Sequence, residues 1–318
     1  MIKFLNFNLD SLFMEHHHHH HHHDSSISGG KLLFSVVLNL LITVAQFIGG
    51  ILSGSLALLS DALHNFSDVM SLIISYYAHR LSHRPQSLTQ TFGFKRAEIL
   101  AALFNASVLI AVSIYLIIES IQRFITPQAI ESTWVMGLAA LGIAVNGLSA
   151  WLLHRDAGHN LNIRSAYLHL MGDLMTSFAV LAGGAMIYFY GWYWIDPLLS
   201  LLISFYLIRS SYGIVRESGG MLMQFSPEHI SVEAIVEKVK EFDAIESIHH
   251  IHLWQLDDET VFLEARLNFH QDLMLSETNC ILHDLTHALE DIGIAHTTFQ
   301  CEVGRDGRDT VLERCRHH

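Results

Sequence analysis

Two histidine–aspartate pairs fall where charged residues are costly. His64 and Asp68 lie within "LLSDALHNFSDVMSLIISYYAHR", Leu58 to Arg80, and His169 and Asp173 lie within "YLHLMGDLMTS". Both stretches are apolar enough to sit in a bilayer, where an ionisable side chain costs roughly 2.5–3.5 kcal/mol and is a functional candidate by default. Each pair is spaced i, i+4, so on a helix its two side chains share one face, with Cβ atoms about 6 Å apart. Two imidazoles and two carboxylates brought together from two helices make the four-ligand tetrahedral set that zinc takes. Calcium or magnesium would call for more oxygens and no imidazole. A single pair would read as well as a helix–helix hydrogen bond. Its repetition on a second helix favours a metal.

Asp61 sits three residues before His64 on the same stripe. It reads either as a residue that hydrogen-bonds a ligand imidazole and fixes its tautomer, or as a helix-start residue near the outer interface. The first reading is preferred. A membrane di-iron enzyme would need further His and Glu ligands in paired motifs, and the six apolar runs hold none. A catalytic zinc would need an open coordination position and a general base, and a structural zinc has no need of the bilayer's middle. A metal in transit is the reading left, and no enzymatic activity is expected.

The elements that position these residues are legible as apolar runs. The chain is 51% hydrophobic and 15% charged over 318 residues, too oily for a soluble domain of that size. Six runs have bilayer-spanning length: Lys31–Leu52, Leu56–Ala78, Ala97–Ile121, Trp134–Leu153, Ala166–Tyr188 and Trp192–Ile214. The expected fold is a six-helix membrane domain over 31–216 followed by a soluble domain over 227–304, with tails at 1–30 and 305–318. Lys31, Arg80, Arg84, Lys95, Arg96, Arg155, Arg164, Arg209 and Arg216 fall on one side of that topology and Arg123 on the other, which puts both termini in the cytoplasm.

From Pro227 the chain carries 7 Lys and Arg against 19 Asp and Glu, which accounts for nearly all of its net charge of −13. That sign disfavours nucleic acid and suits cations. Cys280, Cys301 and Cys315 fall in this part and are expected as free thiols. The opening "MIKFLNFNLDSLFME" has no basic region leading into an apolar core, so it does not read as a signal peptide. His16 to His23 read equally as an affinity tag or a metal-collecting tail.

The soluble part reads helix, strand, strand, helix, strand, an α+β arrangement. "PEHISVEAIVEKVKEF" has helical spacing, and "IESIHHIHLWQL" and "TVFLEARLNF" alternate around a turn. "SETNCILHDLTHALEDI" is amphipathic, with Ser276 as its expected N-cap. "HTTFQCEV" closes the sheet.

Taken together, "SLALLSDALHNFSDV", "RPQSLTQTFGFKRAEILAALFNA", "NIRSAYLHLMGD", "HHIHLW" and "HTTFQCE" resemble the cation diffusion facilitator family in its zinc-transporter branch, from about Gly30 to Glu302. The resemblance implies a homodimeric antiporter in a bacterial inner membrane, with Zn2+, protons, the bilayer and a second copy of itself as partners. The transported Zn2+ would be held by His64, Asp68, His169 and Asp173, and His rather than Asp at the first position implies a preference for zinc over cadmium. The C-terminal domain would be ferredoxin-like and dimerising, with a regulatory zinc in some relatives. Here His249 and Glu302 match that site's ligands, while Arg266 stands where a His is common. His250, His252, His283, His287 and His296 lie nearby, with His283 and His287 read as a solvated helix face.

Relatives that hold another zinc in the loop between the second and third membrane helices use acidic and His ligands. This loop carries His79 and His83, but no acidic residue lies between Asp68 and Glu98, so no metal is expected there. The loop between the fourth and fifth helices offers His154 and His159 alone. Lys95, Arg96 and Glu98 are open to gating salt bridges, with helix-end anchoring preferred for Lys95 and Arg96.

Overall fold

The structure, a computed structural model, describes residues 28–154 and 161–304, and for 28–36, 161–163, 165 and 166 the backbone alone. The His16–His23 run, Arg155, His159, Cys315 and the 305–318 tail lie outside the described residues. Six long helices come first: α1 (Ser28–Ser53), α2 (Leu56–Ser82), α3 (Ala97–Ile125), α4 (Ser132–His154), α5 (Leu161–Tyr190) and α6 (Ile195–Leu222). Among the described residues four of these, α3, α4, α5 from Tyr167 and α6, are long and apolar enough to cross a membrane. The described side chains of α1 cover only a shorter apolar stretch, Val37–Ser53. The polar residues that mark α2 chemically also lower its hydropathy.

Local chemistry sets the helix ends. Gly54 takes φ +71 after α1, a left-handed turn that glycine adopts without steric cost. Gly191, with φ +69, ends α5 in the same way, and its N–H bonds the Ile187 carbonyl at 2.9 Å. α6 therefore starts at Ile195 rather than at Trp192, where the apolar run begins. Trp192 and Trp194 stack with centroids 6.1 Å apart, and Tyr190 lies 5.2 Å from Trp192. These are amphipathic rings of the kind that gather at a membrane–water interface.

The chain folds as two compact units, Met1–Phe66 with Ser120–Ile203 and Ser67–Glu119 with Ser204–His318. In the first, α4 packs on α5 and on α1. The buried stripe of α4, Val135, Ala139, Gly142, Asn146, Ser149, Ala150 and Leu153, is mostly small, which lets helix backbones approach closely where no hydrophobic effect drives them together.

In the second unit the C-terminal domain runs α7 (Val232–Val239), β1 (Ile245–Gln255), β2 (Val261–Phe269), α8 (Leu275–Glu290) and β3 (His296–Val303). β2 is central, antiparallel to β1 and parallel to β3. Alternate residues of β2, Val261, Leu263, Ala265, Leu267 and Phe269, join Ile235 and Val239 of α7 and Leu285 and Leu289 of α8 in one apolar core. α7 begins later than its apolar spacing suggests, because the Ser231 side chain caps it by accepting the Ala234 N–H at 3.1 Å. α8 is capped at Met274 and not at Ser276. Glu277 reaches back to accept the Met274 N–H at 3.1 Å, so the helix starts one residue before the serine.

Candidate metal centre

α2 and α5 bring three of the four predicted residues together. Asp173 is 1% exposed, and its two carboxylate oxygens face two imidazoles. Oδ1 lies 3.8 Å from His64 Nε2, and Oδ2 lies 3.6 Å from His169 Nε2. The two imidazole rings meet edge to face with centroids 6.1 Å apart. One buried carboxylate is thus flanked by the Nε2 atoms of two imidazoles from two helices. Asp68 follows His64 by one turn of α2, partly buried, at the i, i+4 position that shares His64's face.

Asp61 is as buried as Asp173, and it ties helices rather than a ring. Gln46 of α1 donates Nε2–H to Asp61 Oδ2 at 3.2 Å, and Thr176 of α5 donates to Oδ1 at 2.7 Å. Thr176 Oγ1 also lies 2.9 Å from the Asp173 carbonyl, one turn away on α5. Asp61 thus fixes α1 and α5 against α2 beside the site. A β-carbon at Gly142 of α4 would come within 2.8 Å of the Gln46 amide nitrogen, so that glycine leaves room for the Gln46–Asp61 bond. Neither Gln46 nor Thr176 is visible from His–Asp spacing. The sequence signal for Gln46 is the polar series Asn39, Thr43, Gln46, all buried and helically spaced in an apolar run.

The far end of α2 is anchored from α6. Asp196 accepts hydrogen bonds from the Leu56 N–H at 2.7 Å, the Ala57 N–H at 3.3 Å and the Ser55 hydroxyl. Ser55 Oγ in turn accepts the Leu58 N–H at 3.1 Å. Three otherwise orphan donors of the first turn are thereby satisfied. Asp196→Ala strands the Leu56 and Ala57 N–H groups in a buried setting, which costs on the order of 2–3 kcal/mol for a charge-assisted cap. We expect markedly lower thermal stability in detergent by fluorescence-detected size exclusion, while Asp196→Asn loses less.

In the C-terminal domain a β-bulge places His249. The β1–β2 register slips between His249 and His252, and His250 takes φ +54. His249 is buried, and across the central strand β2 its Nε2 lies 3.5 Å from Glu302 Oε2 of β3. The second oxygen of Glu302 lies 3.5 Å from Arg266 Nη1, so a guanidinium shares the carboxylate. The other histidines lie elsewhere. His283 and His287 pair on the exposed face of α8 with centroids 4.5 Å apart, His250 and His252 meet 5.0 Å apart, and His296 stacks on Phe262 at 4.6 Å. Cys280 and Cys301 are free thiols.

The segment between α2 and α3 meets this domain, with Phe92 edge-on to Phe262 at 5.7 Å and Lys95 Nζ 3.4 Å from Asp257 Oδ2. Glu98, in the first turn of α3, accepts a hydrogen bond from Ser82 at 2.6 Å and lies 3.2 Å from His79 Nδ1. The β1–β2 turn is crowded with carboxylates. Burial, reinforced by Glu217, Asp257, Glu98 and Glu259, holds the Asp258 carboxyl above its usual range.

Residues 32–223 match the family model described as the cation efflux transmembrane domain, and residues 227–303 match that of the cation efflux protein, cytoplasmic domain. The chain belongs to the cation efflux, or cation diffusion facilitator, family. It is 37% identical over 283 residues, 88% of this chain and 90% of the relative, to the cadmium, cobalt and zinc/H(+)-K(+) antiporter of Bacillus velezensis. It is 33% identical over 276 residues, 86% of this chain and 87% of the relative, to the zinc transporter ZitB of Escherichia coli. The metal cation efflux system protein CzcD of Cupriavidus metallidurans is 33% identical over 263 residues, 82% of each chain.

Proposed function

We propose that this chain is a secondary transporter that exports Zn2+ from the cytoplasm in exchange for protons. The observation that carries the reading is the buried Asp173 carboxylate facing His64 Nε2 from one helix and His169 Nε2 from another. Asp68 supplies the fourth ligand. Zinc needs these groups deprotonated, so binding releases protons and protonation expels the metal. The two imidazoles carry the protons, since a ring nitrogen binds either a proton or the metal, and the two carboxylates balance the ion's charge. Asp61 positions the ligands by holding α1, α2 and α5 together. Alternating exposure of this cluster to the two sides completes the cycle.

The same reading takes all six helices as membrane spans in an inner membrane, with both termini in the cytoplasm, and divides the chain into a 31–216 membrane domain and a 227–304 domain. The latter is ferredoxin-like and pairs two copies as a homodimer. A broader divalent range that includes Cd2+, Co2+ and Fe2+ is the second reading, its cadmium and cobalt favoured by the Bacillus relative's name. A membrane-tethered zinc sensor or store that moves no metal is the third. Full-length protein in proteoliposomes with a lumenal zinc dye separates transport from storage. Lumenal zinc that rises above protein-free vesicles supports the transporter. Bound zinc with no lumenal signal supports the store.

In the C-terminal domain, His249 and Glu302 are the proposed members of a regulatory zinc site, and Arg266 limits it. Its guanidinium supplies at Glu302 the positive charge that a zinc ion would bring, and it cannot itself be a ligand. Arg266→His exchanges that cation for a third ligand. We expect this variant to bind one more zinc per chain than the parent, measured by equilibrium dialysis. An unchanged count contradicts the assignment.

A further inference from the structure

A groove of about 180 Å3 runs between α4 and α5, with Gly147, Ala150, Trp151 and His154 on one wall and Tyr167, Met171 and Leu174 on the other. At about 100° per residue, each set occupies a single face of its helix. Gly147 keeps the floor open, because a β-carbon there would meet Leu174 alone, at 3.8 Å. Behind the floor, Ala150, Leu153 and Leu170 are buried together, with Tyr167 and Met171 packed against them. His169 and Asp173 fall on the opposite side of α5 by the same periodicity, so the groove is separate from the metal cluster.

The chemistry of the groove changes along its length. The Gly147 end is apolar, and Trp151, 72% exposed, stands open beside it. The other end is polar. His154 lies in the last turn of α4, its ring 5.5 Å from Tyr167. Arg164 is exposed in the first turn of α5, three positions before Tyr167 and so on the groove's face. A guanidinium offers paired donors to a phosphodiester, an imidazole adds an N–H, and the start of a helix favours negative charge. Among the described residues none that lines the groove is acidic. A cationic mouth over an apolar floor fits an amphiphile, and Trp and Tyr at such a mouth mark a membrane–water interface.

We propose that the α4–α5 groove holds one anionic phospholipid, its phosphate at Arg164 and His154 and an acyl chain laid along Trp151, Met171 and Gly147. A second copy of the chain docked on the same face would bring its own Arg164 and no acid to meet it. In the proposed orientation this end lies at the cytoplasmic leaflet, whose anionic headgroups basic pockets between membrane helices take up. The choice of leaflet rests on that orientation, whereas the site does not. The lipid ties α4 to α5 along the turns that present His169 and Asp173, and it stabilises the folded state by binding that state alone.

The test uses the full chain in neutral detergent, stripped of native lipid, and titrates phosphatidylglycerol or phosphatidylcholine of the same acyl chains, with bound lipid counted by native mass spectrometry. The parent is expected to bind phosphatidylglycerol at least about fivefold more tightly than phosphatidylcholine at one site per chain. Arg164→Gln should lose that preference and Arg164→Lys should retain it. Gly147→Leu, which fills the floor, should bind one lipid fewer per chain. Phosphatidylglycerol should raise the thermal midpoint of the parent by at least about 3 °C over phosphatidylcholine, and that of Arg164→Gln by no more than phosphatidylcholine does. Zinc binding unchanged from the parent shows that each variant is folded. Equal affinity for the two lipids, or a preference and a count that survive both Arg164→Gln and Gly147→Leu, overturns the proposal. Inorganic phosphate that stabilises the parent as much as phosphatidylglycerol also overturns it, because the apolar floor would then play no part. So does an unchanged lipid count in Gly147→Leu with a dimer turned to monomer, which would assign the groove to a second copy.

Discussion

Asp173→Ala is expected to abolish zinc transport, lowering flux at least 100-fold in proteoliposomes while the protein still reaches the membrane and elutes as the parent does. Asp173 faces both imidazoles at once, so its loss removes a ligand, half the compensating charge and the group that draws the rings together. Ligand loss at a metal site, compounded by an uncompensated divalent ion in low dielectric, exceeds the 10–100-fold that outer-shell changes cost. Asp173→Asn separates the contributions, because it keeps one oxygen donor and removes the charge. It too should fail. Thr176→Val leaves the ligands and removes a hydrogen bond to Asp61, so it should cost about tenfold. Equal loss in Thr176→Val and Asp173→Ala would mean that helix packing, not ligation, accounts for both.

The second large effect is on pH. With two imidazoles to deprotonate, zinc affinity at the cluster should fall by up to about 100-fold per pH unit once the pH is low enough for protons to hold both rings. The sign follows from the ligands. Protons and zinc compete for the same lone pairs, so acid weakens binding and alkali strengthens it until the imidazoles are deprotonated. Replacing one imidazole, as in His169→Asp, should reduce the slope to about tenfold per unit over the same range. Isothermal titration of the full chain across pH 5.5 to 7.5 reads both slopes, with the Asp173→Ala variant subtracting the other zinc sites. A slope that is the same in the parent and in His169→Asp would remove His169 from the proton-carrying pair.

Much of this was legible from periodicity. The apolar runs anticipate the helices α1 to α6 to within a few residues at most ends, and the alternation of Val261 to Phe269 anticipates β2 and its inward face. His64 and His169 could be picked out because i, i+4 spacing is a local property of a helix, and each helix carries its own pair. What could not be read depends on contacts across the fold. Asp196 caps α2 from a position 140 residues away from Leu56, and its local setting at the start of an apolar helix gives no hint of that partner. Asp61 has the right spacing to address His64, yet its hydrogen bonds run to Gln46 and Thr176, because the packing of α1 and α5 decides where a carboxylate finds donors. Glu98 was read as the end of a loop without acids. It meets His79 because α3 turns back on α2, a geometry that spacing along one helix cannot express. The bulge that buries His249 likewise breaks the strand's alternation, and only the paired strand reveals it.

These layers give one account of how a charged cluster persists in an apolar host. On the proposed reading, the two carboxylates and two imidazoles are tolerated because the ion and its protons take turns neutralising them. The surrounding polar contacts, Gln46 to Asp61, Thr176 to Asp61 and Asp196 to the first turn of α2, hold that geometry when the ion is gone. The most direct test follows zinc and protons together, in proteoliposomes with an acidic lumen, zinc outside, and two lumenal dyes, one for each ion. The account predicts zinc uptake with a matching rise in lumenal pH, both abolished by a protonophore and both absent in Asp173→Ala. Zinc entry at the same rate with or without the pH gradient, and with no lumenal pH change, would contradict it.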